Sequence, residues 1–264
     1  MTADRTASTK AFGIEEGFAT YRLRQARYYE LGMDVAGWAG QHAQTFGRKL
    51  DLLDIGTWDG VTRKYVEQHP GSEHVKYHSV DIYPHGTDFV YKSHDWTFHN
   101  INLEKGLTGL KSDSYDVLVC EQVLEHLHDV SLALRDMYRV LRPGGRMILG
   151  VPIFPEGLHL VRKHVVPVTD RLLKVQKKRG HVQAWSKRTF INTIRENCPD
   201  LVIERSRGFR IISGGLLRPL EYQRWWWQAN RVVGRMVPSL CVEVQVIAHK
   251  PAKIEQSSSK KRAA

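Results

Sequence analysis

The sequence is poor in cysteine and has no long apolar run. Its 264 residues include only Cys120, Cys198 and Cys241, whose spacing matches neither a zinc site nor a disulfide framework. The first ten residues, MTADRTASTK, lack the apolar core of a secretory signal, and no run of about 18 apolar residues could form a spanning helix. These absences predict a cytoplasmic globular protein in which residues 1–10 and 251–264 are disordered.

Acidic residues are scarce in one part of the chain only. Residues 155–235 contain 17 Lys and Arg against 6 Asp and Glu, whereas the remainder contains 22 of each kind. The whole formal charge of +11 therefore lies in this segment. A clustered excess of this kind favours an anionic substrate, a nucleic acid or a membrane surface, although a solvated basic face without a partner has the same composition.

Short apolar segments alternate with helical patterns between about residues 50 and 152. LLDI, VKYHSVDIY, FHNINL, YDVLVCEQV and RMILGVP read as strands, and VTRKYVEQH and DVSLALRDMYRVL read as helices, the second one ended by RPGG. Such an alternation predicts right-handed βαβ units and a parallel sheet. An N-terminal helical cap is expected over residues 11–47, in one or two pieces with Gly32 as the candidate break, and one α/β domain is expected over residues 48–250.

The last two predicted strands, in LVIERSRGFRI and LCVEVQVIAHK, lack a clear crossover helix between them, so an antiparallel pair is expected. Two basic excursions, residues 153–185 and 212–239, follow the fifth and sixth strands. Both strands should run in the same direction, so we expect both excursions to lie above the carboxyl edge of the sheet, where α/β proteins bind ligands.

The stretch DLLDIGTWDG is typical of a strand that turns into a helix around a cofactor. Gly56 suits the turn and Gly60 allows the helix to pack closely. A dinucleotide site needs a further glycine where Trp58 stands, and Asp59 adds a negative charge, so a phosphate is disfavoured. A cationic adenosine cofactor without a phosphate, such as S-adenosylmethionine, is compatible with both residues.

Asp81 ends the second predicted strand, 21 residues beyond Gly60. An acid at this distance can accept hydrogen bonds from the hydroxyl groups of an adenosine ribose. A strand-ending aspartate is also a common turn residue. Its position after DIGTWDG favours ribose binding.

Five segments occur in an order that resembles class I S-adenosylmethionine-dependent methyltransferases, and specifically their type 11 branch. They are LLDIGTWDG, VDIY, NINLEKGL, SYDVLVCEQVLEHL and RVLRPGGRMILGVP, and they cover about residues 50–152. The resemblance implies a Rossmann-like α/β fold with a seven-stranded sheet whose last strand is antiparallel. It also implies the methyl donor and a cofactor-binding set: Asp54, Gly56, Trp58, Gly60, Asp81, Ile82, Asn102, Leu103 and Glu121.

Within that set, the resemblance places Asp54 and Gly56 at the methionine end of the cofactor and Ile82 beside the adenine. Asn102 stands where the family often has an aspartate that binds the adenine amino group, and its carbonyl oxygen could make the same bond. Glu121 follows the fourth strand, at the mouth between cofactor and acceptor.

The candidates for proton transfer are His126, His181 and Glu121. His159 and His164 belong to the same basic excursion as His181 and are further candidates. Some relatives bind magnesium through Glu-x-x-Glu-His. Here Gln122 takes the first position, and since a neutral amide is a poorer ligand for a hard cation, no metal is predicted.

The sequence therefore predicts methyl transfer to a hydroxyl or amine of a small or lipid-linked, anionic acceptor. RNA methylation through the basic excursions is an alternative, as is a cofactor-binding protein without catalysis. Trp225, Trp226 and Trp227 lie among arginines and could be core, substrate wall or membrane contact, because neighbours on a helix point in different directions. Peripheral membrane contact is expected through residues 153–185 and 216–239, and no partner protein is evident.

Overall fold

A seven-stranded sheet forms the centre of the molecule. The computed structural model describes residues 23–58, 60–82, 96–160, 180–211, 219–220 and 223–252. The strands lie in the order β3-β2-β1-β4-β5-β7-β6, and β7 alone runs antiparallel to its two neighbours. In chain order they are β1 Leu50–Ile55, β2 Val75–Asp81, β3 Trp96–Asn100, β4 Tyr115–Glu121, β5 Leu141–Pro152, β6 Val202–Phe209 and β7 Glu243–His249.

Helices cover both faces of this sheet. The helices with more than one turn are α1 Ala26–Phe46, α2 Val61–Val66, α3 Val130–Val140, α4 Lys187–Asn197 and α5 Arg224–Met236. Leu158–Leu160 forms a single helical turn, and 3₁₀ turns occur at Leu23–Gln25, Ser72–His74, Leu103–Lys105, Leu124–His126 and Pro238–Leu240.

The central strands are buried on both faces, which explains their unbroken apolar character. Along β1, Leu53 and Ile55 point to the core beneath α3 and α4, whereas Leu50 and Leu52 point to the core beneath α1. The edge strand β3 is only partly buried and has a mixed sequence. The layered α/β sheet with an antiparallel last strand confirms the predicted fold class.

α1 is one continuous helix, so the predicted break at Gly32 is wrong. A Cβ at Gly32 would lie 2.6 Å from the backbone oxygen of Tyr65 in α2. The glycine therefore allows two helices to touch, and it does not interrupt either of them.

Two predicted boundaries also shift. β3 begins at Trp96, whose Nε1 donates to Ser79 Oγ at 2.8 Å, and ends before Asn102. RPGG does not close α3, because α3 ends at Val140 and the strand β5 already begins at Leu141. Arg142 fixes this start, since its Nη1 donates to Asp51 Oδ2 of β1 at 2.9 Å.

Several predictions concern residues outside the described ranges. They include the disordered residues 1–10, the first part of the helical cap, residues 253–264 of the tail, and residues 161–179 and 212–218 of the two excursions. The domain boundaries therefore stay predictions. No helix among the described residues has the length and apolar character needed to cross a membrane.

Candidate functional site

The carboxyl ends of β1, β2 and β4 meet at one edge of the sheet and form the candidate site. The loop after β1 is tied to β2, because Gly56 N–H donates to the Val80 carbonyl oxygen at 2.8 Å. Gly56 has φ +72°, and a Cβ there would lie 2.2 Å from Val123 Cγ2 in the loop after β4. The turn therefore requires glycine for both its conformation and its packing.

Asp54 lies at the end of β1 and is only 4% exposed. Its Oδ1 accepts a hydrogen bond of 3.0 Å from Thr62 Oγ1 of α2, while Oδ2 is buried without a hydrogen-bond partner among the described residues. Burial, with repulsion from Asp81, raises the pKa of Asp54 to about 7. An unpaired buried carboxylate oxygen in this position can accept a hydrogen bond from a cationic ligand.

Two backbone N–H groups hold the carboxylate of Asp81. Trp58 N–H donates to Oδ2 at 2.9 Å and Ile82 N–H donates to Oδ1 at 2.7 Å. Trp58 adopts φ +49°, and its residue is 47% exposed. Its backbone therefore links the loop to Asp81, and its side chain lies at the surface of the site rather than in the core. Asp59 lies outside the described residues.

Asn102 is already engaged in the local fold. Its Oδ1 accepts a hydrogen bond of 3.0 Å from Glu104 N–H and so begins the turn that contains Leu103. Leu103 is buried in the core, whereas Ile82 is 46% exposed at the end of β2. Of the residues predicted to surround the adenine, Ile82 presents the open apolar surface.

Glu121 ends β4 and is almost fully buried. Its Oε2 accepts a hydrogen bond of 2.7 Å from Gln245 Nε2, and its Oε1 lies 3.2 Å from Nε of Arg27. The carboxylate rests against the backbone of Gly150, where a Cβ would lie 2.1 Å from Oε2. Burial raises the pKa of Glu121 to about 7, with Arg27 acting in the opposite direction.

Arg27 joins the first helix of the molecule to its last strand. Its Nη1 donates to Glu243 Oε1 of β7 at 2.9 Å, and Arg210 Nη2 donates to the same oxygen at 2.6 Å. Arg27 could not be identified from the sequence, because its partners Glu121 and Glu243 are 94 and 216 positions away and no local pattern indicates such contacts.

His126 and His181 lie together, as their shared role in the prediction requires. Their ring centroids are 4.9 Å apart, with an edge-to-face arrangement. His126 Nδ1 lies 2.8 Å from the Gly180 carbonyl oxygen, so Nδ1 donates and Nε2 carries the lone pair. The segment that carries His181 is tied down by Val182 N–H, which donates to the Glu125 carbonyl oxygen at 2.8 Å. The position of His164 lies outside the described residues.

Glu125 stands behind this histidine pair. It is 1% exposed, and neither carboxylate oxygen has a hydrogen-bond partner among the described residues. Burial raises its pKa to about 8. In the sequence, Glu125 stands only in the Glu-x-x-Glu-His pattern that Gln122 interrupts, and burial without a partner cannot be read from a local pattern.

α5 separates the three tryptophans. Trp227 is buried against Tyr29 of α1, Trp226 is half-buried, and Trp225 is 58% exposed. The side chain of Asn230 is also buried, and its Oδ1 accepts from Ile211 N–H at 3.0 Å. One face of α5 therefore belongs to the core, and the opposite face reaches solvent.

A buried acid fixes α5 to α1. Glu30 accepts hydrogen bonds from Arg231 and Arg235 of α5, the second at 2.8 Å, and lies 3.4 Å from Arg207 Nη1 of β6. Arg207 also donates to Asp34 Oδ2 at 2.7 Å. A part of the basic excess is thus neutralised inside the fold, and it is not all offered to a ligand.

Known proteins resemble this chain in sequence and in fold. Residues 53–149 match the sequence family described as "Methyltransferase domain". The polyketide synthase–nonribosomal peptide synthetase ffsA of Aspergillus flavipes is 29% identical over 110 residues, which are 38% of this chain and 3% of that protein. YafE of Escherichia coli K12, described as uncharacterized, is 27% identical over 113 residues, 43% of this chain and 47% of that protein. The chain thus spans only a small part of the fungal synthase.

Solved structures share the fold at low sequence identity. The [4+2]-cyclase SpnF superimposes with a TM-score of 0.58 at 14% identity, over 93% of this chain and 91% of the other. YcgJ of Bacillus subtilis superimposes with a TM-score of 0.55 at 17% sequence identity, over 86% of this chain and 99% of the other. An S-adenosylmethionine-dependent methyltransferase from Mesorhizobium loti superimposes with a TM-score of 0.51 at 18% sequence identity, over 76% of this chain and 91% of the other.

The sheet order and the loop after β1 define a class I S-adenosylmethionine-dependent methyltransferase fold. Residues 53–149 match the type 11 methyltransferase domain family, and this match supports S-adenosylmethionine as the cofactor. The predicted family and cofactor are confirmed. Because a similar fold also serves a cyclase, the acceptor and the roles of single residues have to be argued from the site itself.

Proposed function

We propose that this protein transfers a methyl group from S-adenosylmethionine to a hydroxyl or amine of a small or lipid-linked, anionic acceptor. The observation that carries the proposal is the pair of acids at the ends of the neighbouring strands β1 and β2. Asp54 is buried with one unpaired oxygen, and Asp81 is oriented by two backbone N–H groups beside Gly56. A cation with ribose hydroxyl groups suits both acids, whereas a phosphate would be repelled.

The residues of the loop fit the cofactor. The unpaired oxygen of Asp54 would accept a hydrogen bond from the cationic amino group at the methionine end. Asp81 would hold the ribose, and the exposed side chains of Trp58 and Ile82 would cover its apolar surfaces. When bound, the cofactor supplies an electrophilic methyl group on a cationic sulfur.

The remaining work of the protein is alignment and proton removal. We assign the proton-accepting position to the histidine pair, since the side chain of His126 is half exposed and His181 lies beside it. Glu121 was predicted as a third candidate. Its carboxylate is held by Gln245 and Arg27, so we assign it a positioning role between the cofactor edge and α1.

The basic excursions support an anionic acceptor. They follow β5 and β6, which run in the same direction, so both leave the sheet at the edge that carries the candidate site. α5 also exposes an apolar stripe, Trp225, Val232, Val233 and Met236, and the exposed Val237 and Leu240 follow its end. Apolar side chains next to basic residues are typical of a helix that rests on an anionic membrane surface, which would give access to a lipid-linked acceptor.

RNA is the second candidate acceptor, since aromatic and basic residues also bind single-stranded nucleic acid. Its affinity would fall steeply as salt rises, because each phosphate contact releases counterions. We rank RNA second because the described arginines of α5 are largely paired with Glu30.

Radiolabelled methyl transfer into a cell extract tests the proposal. The extract is separated into lipid, small-molecule, RNA and protein fractions after incubation with the protein, and Asp81→Ala serves as the control with weakened cofactor binding. Label in the lipid or small-molecule fraction is expected. Label in RNA would favour the second candidate. Calorimetric binding of S-adenosylmethionine without label in any fraction would favour a catalytically inactive cofactor-binding protein.

A further inference from the structure

Three side chains with ligand atoms for a cation meet beside the candidate active site. One ligand atom each from Glu125, His126 and His181 lies within 4.8 Å of the other two. Glu125 and His126 lie in the 3₁₀ turn Leu124–His126 after β4, and His181 comes from the segment after β5, so the fold brings together residues 55 positions apart. His181 lies outside the Glu-x-x-Glu-His pattern, whose first position is Gln122 here.

The carboxyl group of Glu125 points to a ligand. Its side chain is 1% exposed, yet neither oxygen has a hydrogen-bond partner among the described residues. Its Oε1 lies 4.0 Å from Nε2 of His126. A buried carboxyl without a partner is costly, and binding a cation is one of the few ways to satisfy it.

His126 is already oriented as metal-ligating histidines are. The Gly180 carbonyl oxygen only accepts, so the contact of 2.8 Å places the ring proton on Nδ1 and leaves the Nε2 lone pair toward Glu125. In metal sites, a backbone carbonyl or carboxylate commonly fixes the ligating ring in this way.

The spacing and the chemistry select the kind of ion. A metal at about 2.0–2.2 Å from three ligand atoms needs separations of about 3–4 Å between them. The three atoms here lie within 4.8 Å of one another, so they would have to move closer on binding. Two imidazoles and one carboxylate suit a first-row transition metal better than magnesium or calcium, which prefer oxygen ligands. The side chain of His126 is half exposed, so one side of the set is open to an incoming oxygen.

We propose that Glu125, His126 and His181 bind one divalent transition-metal ion, with its open side facing the methyl acceptor. The binding site rests on the geometry alone, whereas its use rests on the proposed function. With an ion bound, the two imidazoles would serve as ligands in place of their role as proton acceptors, and a coordinated acceptor hydroxyl would be more acidic than a free one. The acceptor O–H bond would break, the proton would pass to water, and the oxygen would keep the electron pair with which it bonds to the methyl carbon. The bond between that carbon and the cationic sulfur would break at the same time, and its electron pair would stay on sulfur in the departing S-adenosylhomocysteine.

Titration of the full-length protein with Co²⁺ and Mn²⁺, after removal of metals by a chelator, tests the site. The visible ligand-field absorption of Co²⁺ and the loss of free-Mn²⁺ signal in electron paramagnetic resonance report binding independently of catalysis. About one equivalent is expected per chain. Glu125→Gln and His181→Ala should each weaken binding at least about tenfold. His128→Gln is the matched control, because His128 is an exposed neighbour that pairs with Glu104 and should leave binding unchanged.

Absence of Co²⁺ and Mn²⁺ binding in the unsubstituted protein would overturn the site. Equal binding in His181→Ala, an exposed position where the substitution leaves the core intact, would overturn it as well. Binding of S-adenosylmethionine and transfer of label are measured on the same samples. Metal binding without methyl transfer would support the metal site and contradict the proposed function. Methyl transfer without metal binding would support the proposed function and contradict the metal site.

Discussion

At the scale of single residues, Asp81 offers the sharpest test of the cofactor site. Its carboxylate is aligned by the N–H groups of Trp58 and Ile82. Asp81→Asn removes the charge and should weaken S-adenosylmethionine binding at least about fivefold, or about 1 kcal/mol, the scale of a hydrogen bond to a charged group. Calorimetry measures the change. Asp200→Asn, at an exposed acid, is the control, and an equal loss in both variants would contradict the assignment.

Asp54 predicts how cofactor binding depends on pH. Its pKa is raised to about 7, so the cation-binding carboxylate forms as pH rises through that value. Affinity for S-adenosylmethionine should therefore increase between about pH 6 and 8, and Asp54→Asn should remove the increase. A pH-independent affinity in the unsubstituted protein would show that Asp54 does not contact the cation.

The same shift affects the stability of the ligand-free protein. Because the folded pKa lies above the ordinary value of 3.8, the native state holds a proton that the unfolded state loses between pH 3.8 and about 7. The contribution of Asp54 to the free energy of unfolding therefore falls as pH rises across that window. The melting temperature of Asp54→Asn, relative to the unsubstituted protein, should rise from pH 5 to pH 7. A constant difference would contradict the raised pKa.

The residues of the cofactor loop could be predicted because they form one contiguous motif at a strand end. Arg27, Glu30 and Glu125 could not. Arg27 and Glu30 depend on partners about 100 to 200 positions away, and the isolation of Glu125 depends on what surrounds it in three dimensions. The local spacing of residues in the sequence reveals neither the distant partners nor the three-dimensional surroundings.

At the scale of elements, two glycines of α1 form a matched pair. A Cβ at Gly32 would lie 2.6 Å from the Tyr65 carbonyl oxygen of α2, whereas a Cβ at Gly37 would meet no atom within 4 Å. Gly32→Ala should lower the free energy of unfolding by about 1–3 kcal/mol, since backbone must move. Gly37→Ala should raise it by about 0.5–1 kcal/mol, because alanine favours a helix.

Urea unfolding of the two variants measures both effects. A stabilising Gly32→Ala would mean that α1 and α2 do not touch at this point. This contact also explains why the sequence predicted a break at Gly32. In a sequence, a glycine that breaks a helix cannot be told apart from a glycine that allows the helix to pack closely against a second helix.

The other elements were predicted to the extent that their pattern is local. The central strands were predicted from their buried apolar runs. Asp129 caps α3, with its Oδ1 accepting from Leu132 N–H at 2.9 Å. The start of β5 was missed because a proline and two glycines usually end a structure. Here Arg142 pairs across the sheet with Asp51 and Asp116 and holds the segment extended.

At the scale of the whole molecule, the exposed stripe of α5 predicts binding to anionic vesicles. The unsubstituted protein should float with vesicles that contain phosphatidylserine. With vesicles of neutral phosphatidylcholine it should remain in the bottom fraction of the gradient. Replacing Trp225 and Met236 together by serine should reduce flotation severalfold, since both side chains are more than half exposed. Met33→Ser, which removes an exposed apolar side chain from α1, is the control.

The outcome separates two uses of the basic charge. Flotation that is unchanged in the double variant, or absent at low salt, would contradict membrane contact through α5. Charge alone could not decide this from the sequence, because the pairing of Arg231 and Arg235 with Glu30 removes part of the apparent excess.

The position of β7 also bears on how the chain is made. β7 leaves the ribosome after β5 and β6, yet it is the strand that joins them. Until residues 243–249 are synthesised, β5 and β6 each have an unpaired edge. Arg27 of α1 likewise lacks Glu243, which follows it by 216 positions. The sheet is therefore completed only after all its other strands have been synthesised, and a nascent chain that stalls before Glu243 exposes two edges open to association with other chains.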